Sequence, residues 1–305
     1  MTSPLHILIL GHGEMGHAME YLLKDRHTFA IWEQFPQRNY PYTTLEQSAP
    51  LADIVLFCLP VNPHREVTQR IAPLLKRNCL CVSIAKGLDE SGKPQRKFLR
   101  KTCLRINRTR FCMVRRFPRK SAQARYAFAQ LGCGDLAAFH AMQVCFNHTR
   151  LYIEHTFDIA GISWPVILKN VYAMAFGMAD ELQLGDNVRG YLATAALQEL
   201  NQIAQVMGGQ TGSPYRLAGL GDLITTATSE SSHHHELGRK LAREETDGIS
   251  GEGPHTLKMI KQHRLLNTEN YRLFQLIGEI VQNPRNVRSK FDDYFKQAFQ
   301  HPPQN

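Results

Sequence analysis

Apolar residues predominate in four short segments of the first ninety positions, at 5–10, 27–32, 52–61 and 79–88. Mainly apolar segments of this length are typical of parallel strands that are buried on both faces. Residues 14–23 and 64–75, which lie between runs, instead repeat their apolar positions at helical spacing. The alternation of strand and helix predicts an α/β fold with a doubly wound sheet in the N-terminal half.

The first run leads directly into a glycine-rich turn, Gly11-x-Gly13-x-x-Gly16, which is followed by a helical pattern. In this context the first glycine permits the tight turn, the second lets the backbone approach a pyrophosphate, and the third lets helix and strand pack closely. The motif predicts a Rossmann-type domain that binds a dinucleotide. A glycine-rich turn without a ligand is the alternative.

Two charged residues follow predicted strands at positions where a cofactor could lie. Glu33 comes 22 residues after Gly11, and an acidic group there would accept hydrogen bonds from the ribose 2′-hydroxyl, which favours NAD over NADP. Lys86 ends the run at 79–88, where a lysine could reach the nicotinamide or an anionic substrate. Each could equally be a solvated surface residue.

From Ile162 onward the pattern becomes helical, without strand signals. We therefore expect two domains, a dinucleotide-binding domain at 1–160 and an all-helical substrate domain at 161–305. Lys169 and Asn170 fall within a helix rich in small residues. A lysine buried there requires a neighbouring anion or a lowered pKa, whereas a lysine at an exposed edge requires neither.

Composition bears on whether the protein has disulfides or a metal site, and on its cellular location. The seven cysteines are odd in number and contain no C-x-x-C pair, so neither a disulfide framework nor a metal site is predicted. The N-terminal apolar run is too short for a signal peptide, and no segment approaches the roughly 18 apolar residues of a membrane span. We expect a cytoplasmic protein.

Two longer motifs carry a family resemblance. LKNVYAMAFGMADELQLGDNVRG and LAGLGDLITTATS, together with GHGEMG, Pro60 and AKGL in the same order, resemble bacterial NAD(P)-dependent glycerol-3-phosphate dehydrogenases. The resemblance implies interconversion of dihydroxyacetone phosphate and sn-glycerol 3-phosphate for glycerophospholipid synthesis, and a phosphorylated small-molecule substrate. It implies that Lys169 relays the proton of the substrate hydroxyl and that Asp222 holds substrate and lysine.

The motif and the resemblance together imply two sets of binding residues. The cofactor set is Gly11, Gly13, Glu14, Met15, Gly16, Glu33, Lys86 and Glu252. The substrate set is Lys86, Lys169, Asn170, Asp222, Thr226, Ser232, His233 and His234. Where the family usually has an arginine that bridges cofactor and phosphate, this chain has histidine, which lacks the permanent charge and forked geometry of arginine.

The segment 95–125 departs most from the family. Twelve of the 36 basic residues lie between Arg96 and Arg125, no acidic residue occurs between Ser91 and Gly134, and the rest of the chain has 24 basic against 27 acidic residues. A nucleic-acid surface and a basic loop for the substrate phosphate are two interpretations. We favour a third, a segment that is out of frame or degenerate, because it replaces the Gly-Pro-x-x-Ala region of the family.

Three alternatives to the implied reaction stay open. The chain could be a related β-hydroxyacid-type or ketopantoate-type dehydrogenase. It could also be a catalytically impaired homologue that retains only nucleotide binding, which the segment 95–125 makes credible. We expect no nucleic-acid partner, and a homodimer is left open.

Overall fold

The computed structural model describes residues 3–37, 40–94, 126–229 and 232–300, and the backbone of residues 111–112. The chain divides into two compact units, one formed by residues 1–89 and 93–163 and the other by residues 90–92 and 164–305. These units differ from the predicted domains by three residues at the boundary and by the assignment of residues 90–92. Apart from the backbone of residues 111–112, the basic segment 95–125 lies outside the described residues.

A five-stranded parallel sheet organises the first unit. Its strands are β1 (His6–Leu10), β2 (Thr28–Trp32), β3 (Ile54–Phe57), β4 (Leu80–Ser83) and β5 (Phe111–Cys112), in the spatial order β2-β1-β3-β4-β5. The order reverses between β1 and β3, which is the point where ligands bind in doubly wound sheets. The predicted Rossmann-type fold is confirmed, although the strands predicted at 52–61 and 79–88 are shorter than expected.

Both faces of this sheet are covered, which explains the mainly apolar runs. Ile7 and Ile9 of β1 pack in one cluster with Met19 of helix α1 (Glu14–Leu23). Leu8 and Leu10, which point to the opposite face, pack in a second cluster that includes Val67 of helix α3 (His64–Ile71). The short helix α2 (Leu45–Ser48) precedes β3. A parallel strand buried on both faces cannot alternate apolar with polar residues.

A second, two-stranded parallel sheet completes the first unit. It consists of β6 (Ala127–Gly132) and β7 (Leu151–Thr156), which are joined by helix α4 (Leu136–Phe146). Sequence periodicity did not predict this β-α-β element. Its inner side packs through residues such as Ala129, Leu131 and Met142 into the same cluster as Ile7 and Ile9.

The second unit is helical, as predicted. Helix α5 (Ile159–Glu181) begins in the first unit and continues into the second. The helices that follow are α6 (Asp186–Val206), α7 (Asp222–Ala227), α8 (His233–Ala242), α9 (Glu252–Gln262), α10 (Arg272–Gln282) and α11 (Val287–Gln300). A Cβ atom on Gly177 of α5 would lie 1.9 Å from the carbonyl oxygen of His235, so α5 and α8 approach closely only because glycine stands there.

Helix α5 corrects the expectation that no segment is apolar enough to span a membrane. Among the described residues it is the one helix that passes the test of length and composition, and 94% of its most apolar window is buried inside the protein. The core helix of a globular protein passes the same test. Lys169 and Asn170, which lie within the helix, are also buried.

Candidate active site

The glycine turn has the backbone geometry that its motif predicts. Gly11 has a φ of 92°, in the region that favours glycine, and a Cβ atom on Gly16 would lie 2.1 Å from the carbonyl oxygen of Gly11. Gly13 differs from both, because a Cβ atom there would meet nothing within 4 Å. It is the N-cap of α1, whose first two residues are Glu14 and Met15. The protein itself does not require glycine at position 13, so open space adjoins a helix N-terminus there.

Glu33 lies directly after β2 and contacts this turn. One carboxylate oxygen accepts a hydrogen bond from the backbone N–H of His12 at 2.6 Å, and the other accepts one from the N–H of Gln34 at 2.8 Å. A cavity of about 240 Å³ is lined by Glu33 together with Pro63, Val67 and Arg70. The acidic side chain therefore joins the glycine turn to a cavity at the carboxyl end of the sheet.

Lys86 is half-buried and lies three residues beyond β4. The loop that carries it is fixed by a buried network, in which Ser83 Oγ accepts from the N–H of Ala85 at 3.2 Å and lies 2.9 Å from His64 Nε2. His64 Nδ1 donates to the carbonyl oxygen of Pro60 at 2.8 Å, so Nε2 accepts the Ser83 hydroxyl proton. Burial lowers the pKa of His64 to about 4, which keeps the imidazole neutral.

His64 and Ser83 thus link the loops after β3 and β4, and neither was singled out from the sequence. The sequence offers only a weak signal for the pair. His64 stands at the start of a helical pattern and Ser83 inside an apolar run, so a polar residue in a buried strand was the available clue.

In the second unit, Lys169 of α5 and Asp222 of α7 form a buried ion pair. Lys169 Nζ donates to Asp222 Oδ1 at 3.0 Å and to Thr226 Oγ1 at 2.6 Å. The Lys169 and Asp222 side chains are only 4% and 1% exposed. The Thr226 hydroxyl donates to the carbonyl oxygen of Asp222 at 2.7 Å, so its oxygen is oriented to accept from the lysine. Two residues one turn apart on α7 therefore hold the ammonium group in a buried position.

The Gly-Leu-Gly-Asp-Leu motif determines where Asp222 lies. Residues Leu217–Gly221 form a π-helical turn that leads into α7. A Cβ atom on Gly219 would lie 1.9 Å from the carbonyl oxygen of Pro214, so this turn requires glycine. A carboxylate in the first turn of a helix also interacts favourably with the helix dipole. The glycine therefore sets the entry of the helix that presents Asp222 to Lys169.

Asn170, the next residue on α5, contacts the predicted cofactor residue Glu252. Its Nδ2 donates to Glu252 Oε2 at 2.6 Å. The backbone N–H of Gly253 donates to His234 Nε2 at 3.2 Å, which identifies the proton-bearing nitrogen of His234 as Nδ1 when the ring is neutral. The first turn of α9 therefore joins residues assigned to cofactor and to substrate.

Three neighbouring residues, Ser232, His233 and His235, perform different tasks. His233 is exposed and its Nε2 donates to the carbonyl oxygen of Ser250 at 3.0 Å, whereas His235 is buried with its Nε2 at 2.7 Å from Asp180 Oδ2. Ser232 is buried, and its hydroxyl caps α8 by accepting from the N–H of His235 at 3.4 Å. The side chain of Ser232 therefore has a structural role that the sequence did not reveal.

The predicted site residues thus fall into two groups, one in each unit. The first unit holds the residues of the glycine turn, Glu33 and Lys86. The second unit brings Lys169 together with Asp222 and Thr226, and Asn170 together with Glu252, with His234 bonded beside them. As roles in binding and catalysis, these assignments remain predictions.

Comparisons with known proteins agree with this architecture. Residues 158–292 match the family model described as "NAD-dependent glycerol-3-phosphate dehydrogenase C-terminus". A glycerol-3-phosphate dehydrogenase [NAD(P)+] of Teredinibacter turnerae is 27% identical over 293 residues, covering 86% of each chain.

Solved structures show the fold. A glycerol-3-phosphate dehydrogenase of Coxiella burnetii matches with a TM-score of 0.81 and 20% identity, covering 96% of this chain and 99% of that one. A ketopantoate reductase of Ralstonia eutropha, which is 14% identical, covers 97% of this chain and 100% of its own but reaches a TM-score of only 0.57.

The first unit has a parallel sheet with a glycine-rich dinucleotide turn, and the second is helical with a buried lysine. This combination is the fold of a two-unit NAD(P)-dependent dehydrogenase. Within that class, the family model matches the helical unit, and the likeness to curated glycerol-3-phosphate dehydrogenases extends over most of the chain. The chain is thus similar, in sequence and in fold, to NAD(P)-dependent glycerol-3-phosphate dehydrogenases.

Proposed function

We propose that this chain is an NAD(P)-dependent oxidoreductase that interconverts dihydroxyacetone phosphate and sn-glycerol 3-phosphate. The observation that carries the proposal is the buried contact of Lys169 with Asp222 and Thr226, at 3.0 and 2.6 Å. A buried lysine held by a carboxylate and a hydroxyl is a positioned proton donor, which a carbonyl reduction requires.

The residues of the first unit fit a dinucleotide. Gly13 has the open space that a pyrophosphate would need, the α1 N-terminus supplies backbone N–H groups, and Glu33 lines the neighbouring cavity. When bound, the nicotinamide supplies or accepts the hydride at its carbon 4. Glu33 would accept hydrogen bonds from the ribose and repel a 2′-phosphate, so we propose a preference for NAD over NADP.

The residues of the second unit then have three tasks. Lys169 gives a proton from Nζ to the carbonyl oxygen of the substrate during reduction and takes it back during oxidation. Asp222 and Thr226 fix Nζ and stabilise its charged form, and Asn170 is oriented by Glu252 to contact substrate. Burial of this cluster excludes water, which strengthens the interactions within it.

We assign the substrate phosphate to the histidines of the second unit, and Lys86 of the first unit to the neighbourhood of nicotinamide and substrate. His233 stands where the family usually has arginine and His234 where it has asparagine, and histidine is a full cation only when it is protonated. By analogy with the family, we also propose that the product serves glycerophospholipid synthesis. The same analogy suggests a cytoplasmic location and a homodimer.

The direct test is substrate choice by the purified full chain. We expect NADH oxidation with dihydroxyacetone phosphate, and at least tenfold lower kcat/KM with unphosphorylated dihydroxyacetone, a difference of about 1.4 kcal/mol. Replacing NADH by NADPH should lower kcat/KM. Faster reduction of 2-ketopantoate would favour the ketopantoate-type alternative. Tight NADH binding without turnover of any substrate would identify the impaired homologue.

A further inference from the structure

Three side chains beside the glycine turn bring metal-ligating atoms together. His12 lies in the turn itself, between Gly11 and Gly13, whereas His17 and Glu20 stand three residues apart on one face of α1. The distance from His12 Nε2 to Glu20 Oε2 is 2.8 Å, and that from His17 Nδ1 to the same oxygen is 3.8 Å. All three ligand atoms lie within 4.8 Å of one another.

The other polar atoms of His12 and Glu20 already have partners. His12 Nδ1 lies 3.2 Å from the hydroxyl of Tyr42, and Glu20 Oε1 accepts from the hydroxyl of Tyr40 at 2.5 Å. Metal ligands in proteins are usually oriented in this way by a hydrogen bond at the atom that does not bind the ion. The two tyrosines thus leave His12 Nε2 and Glu20 Oε2 facing each other at 2.8 Å.

Charge and burial also suit a cation. Glu20 contributes an acidic side chain, which accepts a hydrogen bond from Tyr40 and lies 2.8 Å from His12 Nε2. His12 is only 5% exposed, while His17 and Glu20 are half-buried, so an ion could enter from the α1 side.

We propose that His12 Nε2, His17 Nδ1 and Glu20 Oε2 bind one divalent ion of the Zn²⁺ type, with a fourth position open to water. Two imidazoles and one carboxylate are a common zinc ligand set. Tetrahedral bonds of about 2.0–2.1 Å place ligand atoms about 3.4 Å apart, and the separations of 2.8 and 3.8 Å lie on either side of that value.

Binding needs only small movements and releases one proton. The ion replaces the proton shared by His12 Nε2 and Glu20 Oε2, which leaves to solvent, so binding should weaken as the pH falls. The backbone N–H of His12 donates to Glu33, and the ion would therefore join α1 to the turn that approaches the cofactor. The site depends on its own ligands and does not require the proposed reaction.

The test is metal titration of the chelator-treated full chain, by calorimetry with Zn²⁺ and by visible absorption with Co²⁺. We expect one tight site per chain, with a Co²⁺ spectrum that lacks a thiolate charge-transfer band. His17→Ala and Glu20→Gln should each weaken Zn²⁺ binding at least tenfold. Tyr40→Phe should weaken it about tenfold, because it removes only a supporting hydrogen bond.

Two control variants locate the ion. His140→Ala alters an exposed histidine that bonds Gln143, and should leave the affinity unchanged. His234→Ala should also leave it unchanged, since that residue belongs to the histidine run in the other unit. The proposal is overturned if Zn²⁺ does not bind, if His17→Ala and Glu20→Gln bind it like wild type, or if His234→Ala removes the tight site.

Discussion

Asn170 Nδ2 donates to Glu252 Oε2 at 2.6 Å, and this bond joins a residue assigned to the substrate to one assigned to the cofactor. Asn170 is buried, whereas Glu252 is exposed, so the amide depends on the carboxylate for its orientation. If both residues act through this bond, removing either should have much the same effect as removing both.

A double-mutant cycle tests this relationship. We expect Asn170→Ala and Glu252→Ala each to lower kcat/KM for dihydroxyacetone phosphate, with an interaction free energy of about 0.5–1.5 kcal/mol between them. Glu236→Ala is a matched control, because that exposed glutamate pairs with Arg243. Effects of Asn170→Ala and Glu252→Ala that add to within about 0.3 kcal/mol would show that the two residues act independently.

Gly13→Ala separates cofactor binding from folding. Its φ of −72° is available to alanine and its Cβ position is open, so the fold should be retained. The added methyl group would occupy the space of the pyrophosphate, and we expect NADH to bind at least tenfold more weakly in calorimetry, or about 1.4 kcal/mol.

Gly16→Ala is the contrasting variant. Its Cβ atom would lie 2.1 Å from the carbonyl oxygen of Gly11, so this variant should lower the thermal midpoint as well as NADH affinity. NADH affinity of Gly13→Ala equal to that of wild type would remove the proposed phosphate site.

Glu199 makes the stability of the protein depend on pH. This residue of α6 accepts from the N–H groups of Leu273 and Phe274, in the first turn of α10, and from the hydroxyl of Tyr172. Burial raises the pKa of Glu199 to about 7, against an ordinary value of 4.5. The folded state thus binds more protons than the unfolded state between these values, and stability must fall as the pH rises through that window.

The expected loss is about 3 kcal/mol of unfolding free energy between pH 4.5 and 7, with little change above. Glu199→Gln has no charge to bury and should lack this component. Urea denaturation of both proteins at pH 5 and pH 8 measures the difference, in which other titrating groups cancel. Parallel stability profiles for wild type and variant would contradict the assignment.

The sequence predicted those features that depend on local pattern or on family motifs. The glycine turn and the mainly apolar runs indicated the parallel sheet, and the resemblance paired Lys169 with Asp222 across 53 positions. The sequence did not predict the hydrogen bond between His64 and Ser83 or the capping role of Ser232. Such contacts depend on how loops meet in three dimensions, and a single polar residue in an apolar run does not reveal its partner.

The sequence also did not predict where the strands end. The run at 79–88 continues with Ile84 and Ala85, yet β4 ends at Ser83, whose Oγ accepts a hydrogen bond from the N–H of Ala85. The sequence did not predict the sheet formed by β6 and β7. This sheet directly follows the basic segment, in which the sequence no longer resembles the family.

The central claim is that Lys169 Nζ is the proton donor, held by Asp222 and Thr226. Alanine at 169 leaves the buried carboxylate of Asp222 without its cation, which costs about 3–5 kcal/mol, so Lys169→Arg is measured beside it as a variant that keeps the charge. Arginine does not give up its proton at accessible pH and should therefore not restore activity. NADH affinity and thermal unfolding establish that each variant is folded.

The decisive measurement is kcat for NADH oxidation with saturating dihydroxyacetone phosphate in wild type, Lys169→Ala and Lys169→Arg. We predict a fall of about 10²–10⁴-fold in both variants, the usual contribution of general acid–base catalysis, with NADH affinity nearly intact. A folded Lys169→Ala that turns over within about threefold of wild type, well under that range, would contradict the account.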